Sequence, residues 1–442
     1  MKVHLTTLGC AKNQVDSELL AGSLEAAGHA VCDDPRDAEI IIVNTCSFIE
    51  PAVNESIDTI LALAEHKTGG SCRRLIVCGC LPERYGRDLA ETLPEVDFFF
   101  GTGAFDRLAA ALNEGGEQVP RCTLPPPEAA AEQGANEPRR CQTPSSVYIK
   151  IAEGCDRHCT YCIIPRLRGR QRSRRPEHIR AEARQLIAAG ARELILVAQE
   201  TTAYGRDLTP PRTLADLLAA LSDLSDRVWI RVLYMHPASL DARTIAIMLE
   251  RPNICAYFDI PIQHASDAVL RRMGRGHTAA AARRLLEQVR EKDPGAVLRT
   301  TALVGFPGET EADFAALLDF ARQIQFDHLG VFIYSDADDI RSSGLDGQVD
   351  RQTAADRHDR LMSAQAEISR ARNEARRNRI FDVLLEEEIE PSLYEGRTWF
   401  QAPEVDGVTY VRSRQHCRPG ERVPVYISDA TEYDLSGEIY EE

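Results

Sequence analysis

Apolar residues along the chain fall into short runs set between longer amphipathic stretches. Near the amino terminus, runs at 3–8, 40–44, 75–78 and 96–100 alternate with helical patterns such as 14–27 and 50–65. Such alternation predicts an open parallel α/β sheet over residues 1–118. From Pro120 through Pro125-Pro126-Pro127 to about Ser145 the chain is rich in Pro, Ala, Glu and Gly. That composition predicts a linker over 119–145. Six further runs, at 147–152, 193–198, 229–234, 256–260, 298–304 and 328–334, again alternate with helical segments and predict a partial (β/α)6 barrel. A polar helix over about 350–379, rich in Arg, Ala and Glu, closes this unit of residues 146–379. Beyond it the period drops to two, at 381–385, 398–402, 409–412 and 422–427, which predicts a small antiparallel β-barrel over 380–442.

Composition fits this three-part plan. A chain of 442 residues with 43% hydrophobic content exceeds what one core usually holds. The longest apolar runs, such as Ile40-Ile41-Ile42-Val43, are strand-sized, well short of the roughly 18 residues a membrane span needs. No membrane association is expected. The first residues show no signal-peptide pattern, so a cytoplasmic location is expected, with the thirteen cysteines kept as thiols. A net charge of −16 disfavours nucleic acid as the default partner and suits either simple solubility or a basic partner.

The strongest chemical signal is Gly154-Cys155-Asp156-Arg157-His158-Cys159-Thr160-Tyr161-Cys162, directly after the first strand of the second unit. Three thiolates on one tight loop can hold three irons of a cubane cluster. A zinc site is the competing reading, with His158 as a doubtful fourth ligand. A fourth cysteine at ferredoxin spacing is missing, so one iron is left open to a small ligand, which implies chemistry rather than electron carriage. A second triplet, Cys10, Cys46 and Cys80, is dispersed in sequence, yet each member ends a predicted parallel strand. In open α/β sheets ligands gather beyond the carboxyl ends of strands, so these thiols can converge on another open-cornered cluster. Cys78 lies one step deeper on its strand and belongs to the core, and Cys32, Cys72, Cys122, Cys141, Cys255 and Cys417 have no partner pattern.

The C-x3-C-x2-C loop resembles that of radical S-adenosylmethionine enzymes. The resemblance implies that the open iron chelates the cofactor's amino and carboxylate groups and that Tyr161 lies against its adenine. Over nearly the whole chain the sequence resembles the methylthiotransferase family, through Thr7-Leu8-Gly9-Cys10-Ala11-Lys12-Asn13-Gln14-Val15-Asp16-Ser17-Glu18, Cys162-Ile163-Ile164-Pro165-Arg166-Leu167-Arg168-Gly169 and Gln199-Glu200-Thr201-Thr202-Ala203-Tyr204-Gly205. Asp259-Ile260-Pro261-Ile262-Gln263-His264 and Val304-Gly305-Phe306-Pro307-Gly308-Glu309-Thr310 extend the match. Cys10-Ala11-Lys12-Asn13 with Tyr234-Met235-His236-Pro237 resembles the branch that methylthiolates an aspartate β-carbon of a small-subunit ribosomal protein, rather than the branch that modifies a tRNA adenosine. The resemblance implies two 4Fe-4S clusters, S-adenosylmethionine cleaved to a 5′-deoxyadenosyl radical, sulfur delivery from the second cluster, a reducing electron donor and a TRAM-like last domain. One stretch departs from the family pattern: Tyr334-Ser335-Asp336-Ala337-Asp338-Asp339-Ile340-Arg341-Ser342 stands where a proline, two glutamates and a Gly-Thr are usual.

Charge supports the protein-modifying branch. Residues 380–442 carry fifteen Asp and Glu against five Arg and no Lys, a formal charge of −10 that opposes tRNA and suits a basic ribosomal protein. A basic cluster, Arg166, Arg168, Arg170, Arg172, Arg174 and Arg175, follows the cysteine loop, and at least half of it is expected in salt bridges. Gln199, Gln263 and Gly305 lie at barrel strand ends and are the cofactor-pocket candidates, with the glycine expected to let backbone approach the cofactor. His264 is expected to be a hydrogen-bonded structural histidine rather than an acid-base group. The alternatives are the same chemistry on tRNA, or a non-catalytic iron-sulfur or zinc scaffold that binds ribosomal components.

Overall fold

The amino-terminal runs pair in parallel. In a computed structural model, which describes residues 1–113 and 119–441, β1 (Lys2–Thr7), β2 (Ala30–Cys32), β3 (Ile40–Thr45), β4 (Arg74–Gly79), β5 (Phe98–Phe100) and β6 (Cys122–Thr123) form one sheet in the order β2-β1-β3-β4-β5-β6. Every residue of β3 is buried. Helices on both faces remove the polar alternation an exposed strand would show, which is why this strand is a continuous apolar run. The helices Ala11–Ala26 and Cys80–Thr92 begin directly after β1 and β4.

The stretch expected to be a linker is structured at both ends. Its Cys122 and Thr123 pair with Phe99 and Phe100 as the sixth strand. Farther on, the buried Arg139 bridges Glu18 of the first unit at 2.6 Å and Glu182 of the second at 2.7 Å. A two-residue strand and one shared guanidinium leave no periodicity to detect. The expected boundary at residue 118 lies outside the described residues.

The central unit contains β7 (Ser146–Lys150), β8 (Ala152–Glu153), β9 (Arg172–Ser173), β10 (Glu193–Val197), β11 (Trp229–Val232), β12 (Tyr257–Asp259), β13 (Val297–Val304) and β14 (His328–Ile333). Strands β11-β10-β7 and β12-β13-β14 form two parallel sheets joined by a bridge between Ile230 and Ile254, the six-stranded partial barrel expected. β8 and β9 pair antiparallel and frame the cysteine loop. The closing helix runs Arg351–Glu374, its first turn capped by Asp350, which accepts from the Thr353 N–H.

The last unit is a closed barrel, β15-β16-β17-β19-β18, of β15 (Ile380–Glu390), β16 (Leu393–Thr398), β17 (Thr409–Arg412), β18 (Arg422–Ala430) and β19 (Leu435–Ile439). It closes through one parallel pair, β17 with β19, among otherwise antiparallel neighbours. The strand expected at 398–402 instead ends at Thr398. Arg397 of β16 fastens this barrel to the central one. Its guanidinium reaches Glu193 and the Ser146 hydroxyl, each at 2.7 Å, and Glu193 also holds Arg231 at 2.7 Å, all buried. Among the described residues no helix is long and apolar enough to cross a membrane.

Candidate active site

The first triplet sits on the loop between β8 and the short helix Ile164–Arg168. Gly154 opens the loop at φ 79°, and a Cβ there would run into the Arg170 carbonyl, so glycine is required. The Cys155 N–H donates to Gly169 O at 3.1 Å, and Thr160 is pinned through its N–H to Met273 O and its hydroxyl to Arg272 O. Two arginines stand over the thiols. Arg157 gives its backbone N–H to Cys155 Sγ at 3.4 Å and forks onto buried Glu200 at 2.7 and 2.8 Å. Arg275 reaches Cys159 Sγ at 3.6 Å and the Tyr161 hydroxyl at 3.5 Å, anchored on Pro261 O at 2.7 Å. Burial pushes the Cys155 thiol up to about 11 and Cys162 up to about 12, and repulsion from their fellow thiols adds to both.

The second triplet forms at the carboxyl ends of β1, β3 and β4. Cys10 is the residue before the helix Ala11–Ala26, Cys46 follows β3, and Cys80 opens the helical segment after β4. Gly9, at φ 94°, lets the chains close up: a Cβ there would lie 2.6 Å from Cys46 Cβ and 3.0 Å from its sulfur. The Asn13 amide ties Leu8 O to Thr45 O at 2.8 and 3.0 Å. Burial opposes ionisation of Cys10, but Lys12 and Arg168 outweigh it and draw the thiol below its ordinary value. Burial raises Cys46, with repulsion from Cys10, and pushes Cys80 up to about 12 against the pull of Arg168.

Arg168 joins the two triplets. It lies six residues past Cys162, yet its buried guanidinium donates to Asp16 at 2.7 Å, Asn13 at 2.5 Å and Cys80 Sγ at 3.5 Å. Lys150 bridges Asp16 and Glu153, and Glu153 accepts from Gln199 at 2.5 Å. Cys80 also packs with Ile163 and Leu167 from beside Cys162. The other arginines of the cluster are likewise engaged: Arg174 with Glu182, Arg166 with Asp339, Arg170 with Asp156, Arg175 with Glu132, and Arg172 with backbone carbonyls.

Among the described residues, no three His, Cys, Asp or Glu side chains are grouped to hold a single metal ion. A cubane asks for something else, because each thiolate takes its own iron. Two sets of three buried or half-buried, mutually repelling thiols, each near cationic side chains, suit that need. Tyr161 and Gln263 line a cavity of about 340 Å³ beside the first triplet, with Tyr161 edge-on to Phe306 at 6.4 Å. Gly305 lies close against the closing helix: a Cβ there would meet Ala354 Cβ at 2.6 Å. His264 is buried, accepts from the Ser266 N–H at 3.0 Å and faces Glu309 at 3.5 Å, as a structural histidine would.

Several neighbours of the triplets escaped sequence reasoning. Lys12 lies over the Tyr234 ring, 3.6 Å from its centroid, and Arg157, Glu153, Glu200 and Arg275 surround the cysteine loop. Buried His236, its pKa pulled down by burial and by Arg275 and Arg157, meets His277 edge-on at 5.8 Å. Lys12 and Glu200 stood inside the quoted motifs; Arg275 carried no local signal.

Residues 2–101 match the uncharacterized protein family UPF0004, residues 149–321 the Radical SAM superfamily, and residues 379–439 the TRAM domain. The radical S-adenosylmethionine methyltransferase TsrM from Kitasatospora setae, solved with cobalamin and a [4Fe-4S] cluster, shares the fold at TM-score 0.58 and 17% identity, over 75% of this chain and 74% of that one. The S-adenosylmethionine radical enzyme OxsB does so at 0.53 and 14%, over 83% and 56%. Three units in this order, with cysteine triplets at the strand ends of the first two, define a radical S-adenosylmethionine methylthiotransferase. Relatives include the "Ribosomal protein uS12 methylthiotransferase RimO" of Desulfosudis oleivorans, 61% identical over 99% of this chain and all of that one, and its namesake in Clostridioides difficile, 43% identical over 99% of both. The chain belongs to this RimO family, whose cofactors are S-adenosylmethionine and 4Fe-4S clusters.

Proposed function

We propose that the chain transfers a methylthio group to the β-carbon of an aspartate in ribosomal protein uS12. Cys155, Cys159 and Cys162 would hold one 4Fe-4S cluster, and Cys10, Cys46 and Cys80 a second. When bound, the first supplies the electron that cleaves S-adenosylmethionine to a 5′-deoxyadenosyl radical, needed because no side-chain base opens an unactivated carbon-hydrogen bond, and the second supplies sulfur. The observation that carries the reading is Arg168, which leaves the loop of one triplet and touches a thiol of the other. Radical generation and sulfur delivery would then act on one substrate atom.

The chain's own residues set up this chemistry. Lys12, Arg168 and Arg275 bring positive charge to the sulfur ligands and so stabilise the negative charge of the thiolates and of an added electron. Tyr161, Gln263 and Gln199 would border S-adenosylmethionine at the barrel's strand ends, with Gly305 shaping the wall behind them. The reaction would draw on a reducing electron donor, and the reading places it in the cytoplasm. The −10 charge of the last barrel opposes tRNA.

Anaerobically reconstituted protein with reductant and S-adenosylmethionine should place a methylthio group on one aspartate of purified uS12, seen by mass spectrometry of its peptides. Thiomethylated tRNA beside unmodified uS12 would overturn the substrate. A scaffold would form no 5′-deoxyadenosine under the same conditions.

A further inference from the structure

The loop after β14 departs from the family pattern, and it spans both cysteine sites. The Ser342 N–H donates to Thr160 O, within the first triplet's loop, at 3.0 Å. Asp339 takes the fork of buried Arg84, from the helical segment that Cys80 opens, at 2.9 and 2.6 Å. Tyr334 ties the loop to itself through Asp336 and Ser342, each at 2.9 Å. A segment fixed at this many points presents its remaining side chains in set positions.

Those side chains are acidic and border an apolar mouth. Asp336 and Asp338 are exposed, as is Glu50, whose backbone N–H donates to Ser335 at 3.4 Å. Among the described residues none of the three carboxylates has a cationic partner, whereas Asp339 spends its charge on Arg84 and Arg166. Phe48 and Tyr85 from the first unit, and Phe332 and Ile333 from β14, are 42%, 39%, 52% and 39% exposed and line the 340 Å³ cavity that has Tyr161 and Gln263 on its wall. Three aromatic rings gathered at the opening of a cavity mark a binding surface rather than scattered surface residues. Phe48 stands two residues from Cys46 and Tyr161 directly before Cys162, so segments carrying both triplets border the mouth.

We infer that this mouth docks the substrate protein, and that it takes an extended loop of a basic protein. An apolar side chain of that loop packs among Phe48, Tyr85, Phe332 and Ile333, and flanking Lys or Arg residues lie over Glu50, Asp336 and Asp338. The inference rests on the function proposed above and adds where and by what chemistry the substrate is gripped. A nucleic acid would meet three unpaired carboxylates with its phosphates. A basic loop meets them with opposite charge, which also speeds its approach.

The test measures binding of labelled uS12 to the anaerobic holoenzyme by fluorescence anisotropy, at low and high salt, separately from turnover. Glu50→Gln/Asp336→Asn/Asp338→Asn should weaken binding about tenfold at low salt and flatten the salt dependence, as loss of three exposed charge pairs would. Phe332→Ala, at an exposed ring that the fold does not need, should weaken binding with the salt dependence kept. Parent-like affinity in both variants overturns the docking site, as does a parent enzyme that does not bind uS12. A parent that binds uS12 through these residues yet never methylthiolates it overturns the proposed function and leaves the docking site standing.

Discussion

Replacing Arg168 by methionine tests whether the two triplets form one site. The substitution keeps most of the side-chain volume and removes a guanidinium that is 4% exposed and pairs with Asp16 at 2.7 Å and Cys80 Sγ at 3.5 Å. Asp16 keeps Lys150, so the cost in stability falls at the lower end for a broken buried pair, about 3 kcal/mol. The second effect is on reduction. A unit charge about 4 Å from another at an effective dielectric near 20 is worth roughly 4 kcal/mol. Spread over a cluster, about half of that reaches the added electron, on the order of 100 mV. Arg168→Met should therefore lower the midpoint potential of the second cluster by that much, and Arg168→Lys by less, because the charge stays while the fork onto Asn13, Asp16 and Cys80 is lost. The assay is an EPR-monitored redox titration in a Cys155→Ala/Cys159→Ala/Cys162→Ala background, where only the second cluster assembles. An Arg168→Met protein with the parent's potential would refute the electrostatic role of this residue.

Arg275→Met should lower the potential of the first cluster by tens of millivolts, since hydrogen bonds to cluster sulfur favour the reduced form; titration in a Cys10→Ala/Cys46→Ala/Cys80→Ala background checks this. Gly9→Ala should cost the second cluster, dropping iron from about eight to about four atoms per chain while 5′-deoxyadenosine formation survives, because the new Cβ meets Cys46 in a backbone conformation that alanine resists. Arg397→Met should destabilise the fold by roughly 3 to 5 kcal/mol in chemical denaturation, as Glu193 loses one of its two buried partners. Glu193 is held down at about 2: burial resists its ionisation, but Arg397 and Arg231 prevail. Its carboxylate therefore contributes about 3 kcal/mol above pH 4.5, and this is lost as pH falls towards 2. Urea midpoints followed over that range should fall more steeply for the parent than for Glu193→Gln.

What the sequence disclosed follows from the range of the forces involved. Parallel strands buried on both faces, such as β3 and β10, are continuous apolar runs and declare themselves locally. The first triplet is a nine-residue loop, and the second was legible because strand ends in an open sheet meet at one edge. The ion pairs were not. Arg275 meets Cys159 across 116 residues, and Arg168 meets Cys80 across 88, so nothing adjacent in the chain marks either contact. β19 and β6 were missed because each is too short or too polar to show a period. Gly305 is of a different kind: glycine reports a close approach but does not say by what, and the structure shows Ala354 as one neighbour.

The bridge made by Arg139 also bears on how such a chain can be taken apart. Cutting the polypeptide near residue 120 would leave the amino-terminal piece with Glu18 stripped of its guanidinium, and the arginine itself on the other piece. The amino-terminal fragment would be left with a buried carboxylate that has lost its cationic partner. A gene encoding only one of the two fragments would inherit a radical generator with nothing to insert, or a sulfur store with no means of opening its target.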